Sequence, residues 1–411
     1  MSNSILISVL IALAVIVASA RVVGLLFERF GQPSVIGEIV VGILLGPSLL
    51  GWLQPTLFHS LFPASITPSL TLLAQIGLIF YMFLVGLEFD PGQLRRQLRL
   101  AVLVSNISIA LPFALGVLLA ALGLYRLNGS AGVAFLPFAL FCGTALSITA
   151  FPVLARILED RGWSHTKVGQ LAIACASIDD LSAWCLLAIA IAVTRTGGLA
   201  TALPTLAAIA ALAGAMVLVI PYLGRPLLRR FEARGDLDPL LLTSIDAMVL
   251  LAAAATQAIG IDVIFGGFLL GAVLPKTPAF CQQLRERIND FVTIVLLPVF
   301  FVLSGLNTRL GLLNQPWLWG VAALILLAAV AGKFLGAYGV ARWQGLPKSE
   351  ARTLGWLMNT RGLTELIVLN IGLRLGVISP LIFTLFVLMA LGTTLMASPL
   401  LNREAATLGE A

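Results

Sequence analysis

Long apolar runs, separated by short clusters of charged residues, proline and glycine, fill the chain from Ile5 to Leu401. An α-helix needs about 20 apolar residues to cross the hydrocarbon core of a bilayer. Dividing the chain where charges, proline and glycine interrupt the apolar pattern predicts thirteen transmembrane helices. Their predicted limits are 5–27, 34–51, 69–88, 98–123, 131–157, 165–194, 199–222, 239–258, 262–276, 289–308, 317–342, 350–373 and 379–401.

The composition identifies lipid as the solvent for most of this chain. Of its 411 residues, 59% are hydrophobic and 11% are charged, whereas soluble globular domains carry about 25% charged residues. We therefore predict an all-α polytopic membrane protein with one transmembrane domain over 1–411 and no soluble regulatory domain. The net charge is +6, and most positive residues lie in short loops between apolar runs, which favours a membrane protein over a nucleic-acid-binding one.

The distribution of lysine and arginine predicts how the helices are oriented. One set of alternate loops contains 18 of the 25 Lys and Arg residues, the other set contains four, and three lie inside predicted helices. Positive charge accumulates in cytoplasmic loops, so a wrong helix count would disturb this alternation from the error onward. The pattern predicts a multi-pass protein of the cell membrane with its N-terminus outside and its C-terminus in the cytoplasm.

Thirteen helices permit two inverted repeats of six helices on either side of one linker helix, as in several transporter folds. The fifth and twelfth helices then correspond, and both are interrupted by polar residues, Ser147 and Thr149 in one, Asn359 and Thr360 in the other. Interrupted helices at matching positions mark substrate sites in such transporters, although kinked helices also contain Ser, Thr and Pro. The predicted units are a first repeat over 1–194, a linker helix with a cytoplasmic loop over 199–238, and a second repeat over 239–401.

Two adjacent carboxylates lie at the centre of the sixth predicted helix. Asp179 and Asp180 follow Ser177 in an otherwise apolar run, where a charged residue costs roughly 2.5–3.5 kcal/mol on insertion scales. Adjacent helical positions point about 100° apart, so one carboxylate can face a cationic partner while the other faces a cavity. The simplest partner is Lys333, midway along the eleventh helix. Carboxylate oxygens suit hard cations, so the pair predicts a site for a monovalent cation and protons; a structural acid pair is the alternative.

Several other charged residues interrupt apolar runs. Arg361 and Glu365 are four residues apart, the spacing of an ordinary helical ion pair, and the nearby interruption leaves a functional role open. Glu38 and Asp246 either bridge helices or line a funnel. The arginine-rich segment 225–234 is predicted to be a solvated cytoplasmic loop.

Other kinds of chemistry have little support in the residues. The four cysteines form no CxxC pair and there are two histidines, so neither a disulfide, a metal cofactor site nor a nucleophile–base–His enzyme is expected. The chain contains no GxxxxGK[ST] motif for ATP. The sequence therefore predicts a secondary transporter without cofactors, in which the paired aspartates would bind the transported cation.

Three strings of residues resemble the monovalent cation:proton antiporter-2 family, in particular plant cation/proton exchangers and their bacterial relatives. They are Thr149–Glu159, Ser177–Trp184 and Asn359–Gly372, and the similarity extends over nearly the whole chain. The resemblance implies a sodium/proton antiporter fold, with a dimerisation domain, a mobile core domain and broken helices that cross near the acidic motif. It also implies a homodimer that exchanges Na⁺ or K⁺ for protons by alternating access.

The resemblance also implies individual roles. Asp180 would be the main carboxylate that binds the cation and carries the proton, and Asp179 would pair with Lys333. Thr149 and Thr360 would lie near the crossing, where backbone carbonyls supply further oxygens. Many relatives have Asn-Asp at the position of the two aspartates, and the two-aspartate form accompanies electrogenic exchange of two protons for one cation.

Two other functions remain open at this point. A passive cation channel could use the same acids as a selectivity element, and an organic-anion symporter could share the inverted-repeat architecture. The long regulatory tail of glutathione-gated potassium efflux relatives is not found after the last predicted helix, so that form of gating is not expected.

Overall fold

A computed structural model describes residues 3–88, 98–129, 132–164 and 166–408. In these ranges, eleven helices are long and apolar enough to span a membrane. The bounds of these helices and of two further segments are α1 Asn3–Arg29, α2 Ser34–Leu45, α3 Thr67–Glu88, α4 Leu98–Leu119, α5a Phe135–Ser147, α5b Phe151–Asp160, α6 Lys167–Thr196, α7 Leu199–Arg234, α8 Pro239–Ala258, α9 Ile264–Val273, α10 Pro278–Phe291 with its continuation Leu297–Asn307, α11 Pro316–Trp343, α12a Lys348–Met358, α12b Leu363–Arg374 and α13 Pro380–Leu408. One shorter apolar helix, α9, and one helix in two halves, α12, complete thirteen segments, and α5, which is counted among the eleven, is also divided into halves.

The prediction of an all-α membrane protein with about thirteen helices is confirmed, but several helix limits were wrong. Helix α4 continues through a π-helical turn over Ala120–Leu124 to Asn128. Helix α2 ends at Leu45, earlier than predicted, and two short helices, Leu50–Leu53 and Pro55–Leu61, lead towards α3. Part of the basic loop after α3, including Arg95 and Arg96, lies outside the described residues.

The segment 225–234 is helical, so its prediction as a loop was wrong. Helix α7 continues without interruption to Arg234 and ends at Gly235, whose φ of 75° is the left-handed conformation common after helices. The next helix, α8, begins after Asp238, which accepts a hydrogen bond from Leu241 N–H at 2.8 Å and pairs with Arg230 at 2.8 Å. The Leu241 N–H, with the neighbouring arginines, holds the pKa of Asp238 below its ordinary value. A basic helix end and a capped helix start therefore replace the expected loop.

The start of α10 was also predicted too late. The charged residues between 285 and 290 interrupt the apolar pattern, which placed the start at 289. In the structure the helix begins at Pro278, where the Thr277 side chain accepts a hydrogen bond from Phe280 N–H. A proline in the first turn of a helix loses no hydrogen bond, because the first N–H groups have no partner inside the helix. The charges lie on helical turns that precede the apolar part of α10.

The helices form two groups that are densely packed internally. The first helix group contains α1–α3 and α7–α10, with its closest packing between α3 and α9 and between α2 and α10. The second helix group contains α4–α6 and α11–α13, in which α4 packs on α11 and on α5a, and α11 packs on α12a. Helices α6 and α7, which connect the groups along the chain, also touch each other.

Two glycines let α2 and α10 approach to backbone contact. A Cβ atom added at Gly42 would lie 2.2 Å from the Val302 carbonyl oxygen, and one added at Gly305 would lie 2.4 Å from the Ile39 carbonyl oxygen. Each glycine thus faces the carbonyl three residues before the other glycine. Small residues at helix contacts in membranes permit such close packing.

The same contact recurs between α3 and α9. A Cβ atom at Gly86 would lie 2.2 Å from the Phe268 carbonyl oxygen, and one at Gly271 would lie 2.2 Å from the Phe83 carbonyl oxygen. This is again the carbonyl three residues before the partner glycine. In the predicted six-plus-one-plus-six repeat, α2 corresponds to α9 and α3 corresponds to α10. The α2–α10 contact therefore corresponds to the α9–α3 contact, and the shared glycine geometry supports the predicted repeat.

Replacement of Gly305 by alanine is expected to lower the melting temperature of the detergent-solubilised protein by several degrees. Alanine is the better helix former by about 1 kcal/mol, but its methyl group would overlap the Ile39 carbonyl, and overpacking costs typically about 1–3 kcal/mol. Gly320→Ala in α11 is the matched control, because nothing lies within 4 Å of a Cβ atom there. Equal melting temperatures for the two variants would contradict the backbone contact.

Candidate ion-binding site

The two interrupted helices cross each other in extended segments. The chain leaves α5a after Ser147 and re-enters a helix at Phe151, while α12 is interrupted between Met358 and Leu363. The backbone N–H of Ala150 donates to the Thr360 carbonyl at 3.1 Å, so the extended segments touch directly. The predicted crossing of the fifth and twelfth helices is confirmed.

Side chains fix the crossing as well as the backbone does. The Thr149 hydroxyl lies 2.9 Å from the Met358 carbonyl at the end of α12a, and the Ser147 hydroxyl donates to the Thr144 carbonyl at 2.8 Å. Ser147, Thr149, Asn359 and Thr360 are all fully or almost fully buried. A non-helical backbone at membrane depth is tolerated where protein covers it, and this burial provides that cover.

Asp179 is surrounded by hydrogen-bond donors. Its Oδ2 atom lies 2.6 Å from the Lys333 ammonium and 2.7 Å from the Thr149 hydroxyl, and its Oδ1 atom accepts from the Ser105 hydroxyl at 2.5 Å. All four side chains are buried. Asp179 is therefore already paired and hydrogen-bonded, with its charge compensated by Lys333.

Asp180 has a different environment, although it is the next residue. It is 3% exposed, and its Oδ1 atom has no hydrogen-bond partner among the described residues. The backbone N–H of Phe151, at the start of α5b, interacts with its carboxylate. Helix N-termini favour negative charge, so α5b supports this anion while leaving acceptor positions unused. An ionised carboxylate offers about four lone-pair positions, so Asp180 can accept a proton or a cation.

Ser105 contributes to this site but was not predicted. It lies in α4, and its hydroxyl donates to Oδ1 of Asp179, whereas Thr149 and Lys333 contact Oδ2. A single serine in an apolar helix leaves the hydropathy pattern nearly unchanged, and it most often bonds within its own helix. Sequence spacing provides no signal that would have selected it.

Arg361 and Glu365 form more than the helical ion pair expected from their spacing. The Arg361 guanidinium donates to the carbonyls of Ala145 and Leu146 at 2.7 and 2.5 Å, and it lies 3.5 Å from a Glu365 oxygen. The last carbonyls of a helix lack partners within it and carry partial negative charge. Arg361 therefore caps the end of α5a from within α12, and Thr394 of α13 donates to the Arg361 carbonyl at 2.8 Å.

The remaining predicted residues are not drawn into contact with Asp180. The Ser177 hydroxyl donates to the Ile173 carbonyl within α6 at 2.8 Å. Glu38 and Asp246 lie on α2 and α8 of the first helix group, and one carboxylate oxygen of each is buried without a hydrogen-bond partner in the described part of the chain. Tyr81 of α3 lies within electrostatic range of both Asp180 and Glu38, a neighbourhood that the sequence did not predict.

The oxygen atoms near the crossing, from carboxylate, hydroxyl and carbonyl groups, are suitable ligands for a monovalent cation. Within the described residues no group of three or more His, Cys, Asp or Glu side chains could hold a metal ion. Oxygen-only ligands are those that hard cations prefer. Asp180 is the available carboxylate, and the crossing supplies neutral oxygens nearby.

Comparison with known proteins identifies the family of this fold and site. Residues 14–403 match the family described as sodium/hydrogen exchanger, transmembrane. The chain belongs to this family, in its cation:proton antiporter-2 branch, and is a monovalent cation/proton antiporter and not an enzyme.

Individual relatives agree with this membership. The chain is 56% identical over 400 residues to the Na⁺/H⁺ antiporter NhaS4 of Synechocystis sp., covering 97% of this chain and 98% of that protein. It is 40% identical over 392 residues to cation/H⁺ antiporter 18 of Arabidopsis thaliana, covering 95% and 48%. It is 34% identical over 383 residues to K⁺/H⁺ antiporter 1 of Saccharomyces cerevisiae, covering 91% and 44%. The chain thus spans about half the length of these plant and yeast relatives.

A solved structure has the same fold. The sodium/proton antiporter MjNhaP1 from Methanocaldococcus jannaschii superposes with a TM-score of 0.68, covering 98% of each chain at 15% sequence identity. At that identity the likeness concerns the fold alone. Family membership favours exchange over the passive channel and the organic-anion symporter that the sequence left open.

Substitution of Arg361 by glutamine is expected to destabilise the protein strongly. It leaves two helix-end carbonyls and the Glu365 carboxylate without their cation, and removing one partner of a buried ion pair costs roughly 3–5 kcal/mol. Thermal unfolding in detergent should show a lower melting temperature for Arg361→Gln than for Arg361→Lys, which keeps the charge.

The double variant Arg361→Gln/Glu365→Gln serves as the control for the buried charge. Because it removes the uncompensated carboxylate, it should recover part of the lost stability. A melting temperature for Arg361→Gln equal to that of the unmodified protein would contradict the capping role.

Proposed function

We propose that Asp180 alternately binds a proton and a monovalent cation, Na⁺ or K⁺, and that this competition couples the two fluxes. The observation that carries the proposal is the contrast between the two aspartates. Asp179 has three donors, whereas Asp180 is buried with an oxygen atom that has no hydrogen-bond partner within the described part of the chain. A buried carboxylate is costly unless it is neutralised, so Asp180 favours one bound positive species at a time.

The exchange follows from movement of one helix group against the other. The second helix group carries Asp180 together with both broken helices, and the first helix group has glycine contacts that make it compact. Alternating access then exposes Asp180 first to one side of the membrane and afterwards to the opposite side. A proton leaves on one side, a cation takes its place, and the loaded site returns to the opposite side.

The Asp179–Lys333 pair is proposed to make the exchange electrogenic. Its members are fully buried and 2.6 Å apart. One proton leaves Asp180 when the cation binds. If cation binding also releases a second proton from the Asp179–Lys333 pair, two protons move for each cation. The alternative is that the Asp179–Lys333 contact is a purely structural ion pair. In that case the pair releases no proton, and the net charge moved in each cycle is different.

The proposed topology places the N-terminus outside and the C-terminus in the cytoplasm. Helix α7 supports it: its 36 residues extend about 54 Å, which exceeds the roughly 30 Å hydrocarbon core. The basic end near Arg234 therefore reaches beyond the lipid at the side that the positive loops assign to the cytoplasm. We also propose a homodimer formed by the first helix group, in keeping with the family resemblance.

Asp180→Asn should abolish exchange, because the amide has nearly the same shape but neither carries the proton nor bears the charge. The measurement is dissipation of an imposed pH gradient in proteoliposomes after addition of Na⁺, K⁺ or Li⁺. Asp236→Asn is the control, since that carboxylate is 69% exposed. A rate for Asp180→Asn clearly above that of protein-free liposomes would refute the assignment.

The double variant Asp179→Asn/Lys333→Gln is expected to exchange one proton for one cation, without net current. It avoids the cost of leaving one buried charge unpaired and has Asn-Asp in place of the two aspartates. Currents on a solid-supported membrane should vanish, while cation-driven pH changes persist. A current equal to that of the unmodified protein would assign the pair a structural role only.

A further inference from the structure

The end of α12b joins the two helix groups through an ion pair. A guanidinium nitrogen of Arg374, in the last turn of α12b, lies 2.7 Å from a carboxylate oxygen of Asp262. Asp262 belongs to the short connection between α8 and α9, so the pair links the second helix group to the first. Its side chains are 41% and 14% exposed, which places the contact at the molecular surface.

Two further polar contacts join the groups near this end. The Asn370 amide, one turn before Arg374 on α12b, donates to the Ser304 hydroxyl of α10 at 2.8 Å. The Arg309 N–H, after the end of α10, donates to the Thr384 hydroxyl of α13 at 3.0 Å. Ser304 and Thr384 are fully buried, so these two contacts between the groups are shielded from solvent, whereas the ion pair is partly exposed.

Helix α12b connects this contact to the ion-binding site. It begins directly after Gly362, next to the crossing, and ends at Arg374. Its 12 residues extend about 18 Å as one rigid helix. Any displacement of the crossing relative to the first helix group therefore moves Asn370 and Arg374 as well.

From this geometry we propose that Asp262 and Arg374 form the outer gate of the transporter, with Asn370 and Ser304 directly beneath them. The proposal rests on the alternating-access exchange proposed above. The contacts close the route from Asp180 to the outside in the present conformation, and they separate when the site opens outward. Partly exposed ion pairs contribute little to stability, so this pair can break and re-form in each transport cycle.

Reversible cross-linking tests whether the gate must open. Asp262→Cys/Arg374→Cys is made in a Cys185→Ser/Cys281→Ser background, since the other two cysteines are buried. A short bis-methanethiosulfonate reagent bridges the pair, because an Arg–Asp ion pair spans more than a disulfide does. We expect exchange to fall at least tenfold and to return after reduction.

The matched control is a pair within one helix group. Glu88→Cys/Arg285→Cys replaces an ion pair between α3 and α10, both in the first helix group. Its cross-link should change exchange less than twofold, because those helices move together. Undiminished exchange in the cross-linked Asp262/Arg374 pair, or equal inhibition of both pairs, would overturn the gate.

A second measurement does not depend on transport. Asn370→Cys, made in the same background, is labelled from outside intact cells with a membrane-impermeant maleimide, with and without Asp262→Asn. Loss of the ion pair should raise the labelling rate severalfold, and an unchanged rate would contradict the gate. If Asp180→Asn retained exchange, the proposed function would fail, while the labelling rates would still test the gate.

Discussion

The contact between Lys333 and Asp179 sets the constraint on which the rest of the site depends. Neither charge could remain at this depth alone, since lipid and packed side chains provide little solvation. Lys333, Thr149 and Ser105 together occupy the Asp179 carboxylate. One oxygen of the adjacent Asp180 then has no hydrogen-bond partner in the ranges that the structure describes, which is why we propose Asp180 as the group that exchanges partners with the solution.

The crossing solves a second electrostatic difficulty. Breaking two helices inside the membrane exposes carbonyls at one pair of ends and N–H groups at the other. Arg361 donates to the carbonyls at the end of α5a, the Thr149 hydroxyl lies 2.9 Å from the carbonyl at the end of α12a, and the N–H of Phe151 is turned towards Asp180. Three of the four free helix ends, those of α5a, α12a and α5b, therefore lie against a group of opposite polarity.

Hydropathy and loop charge predicted the thirteen segments because both report directly on the bilayer. Those patterns cannot detect helix that continues into water, which is why the C-terminal end of α7 and the start of α10 were misplaced. Asp179, Asp180 and Lys333 could be predicted as functional residues because they are charged and lie near the centres of predicted transmembrane helices. The hydrogen bond of Ser105 to Asp179 and those of Arg361 to the end of α5a depend on which helices are neighbours in space. The pattern of residues along the chain does not show which helices are neighbours.

The glycine contacts of the first helix group bear on how the protein responds to heat. Where two backbones touch directly, no side chain lies between them, so there are no rotamers to release as temperature rises. The pairs Gly42–Gly305 and Gly86–Gly271 therefore hold α2, α3, α9 and α10 without that source of softening. The second helix group contains the same kind of approach, because a Cβ atom added at Gly116 of α4 would lie 2.7 Å from the Cys142 carbonyl oxygen of α5a. A thermally stressed transporter would then keep these helices aligned within each group, and softening would begin at contacts made through long side chains.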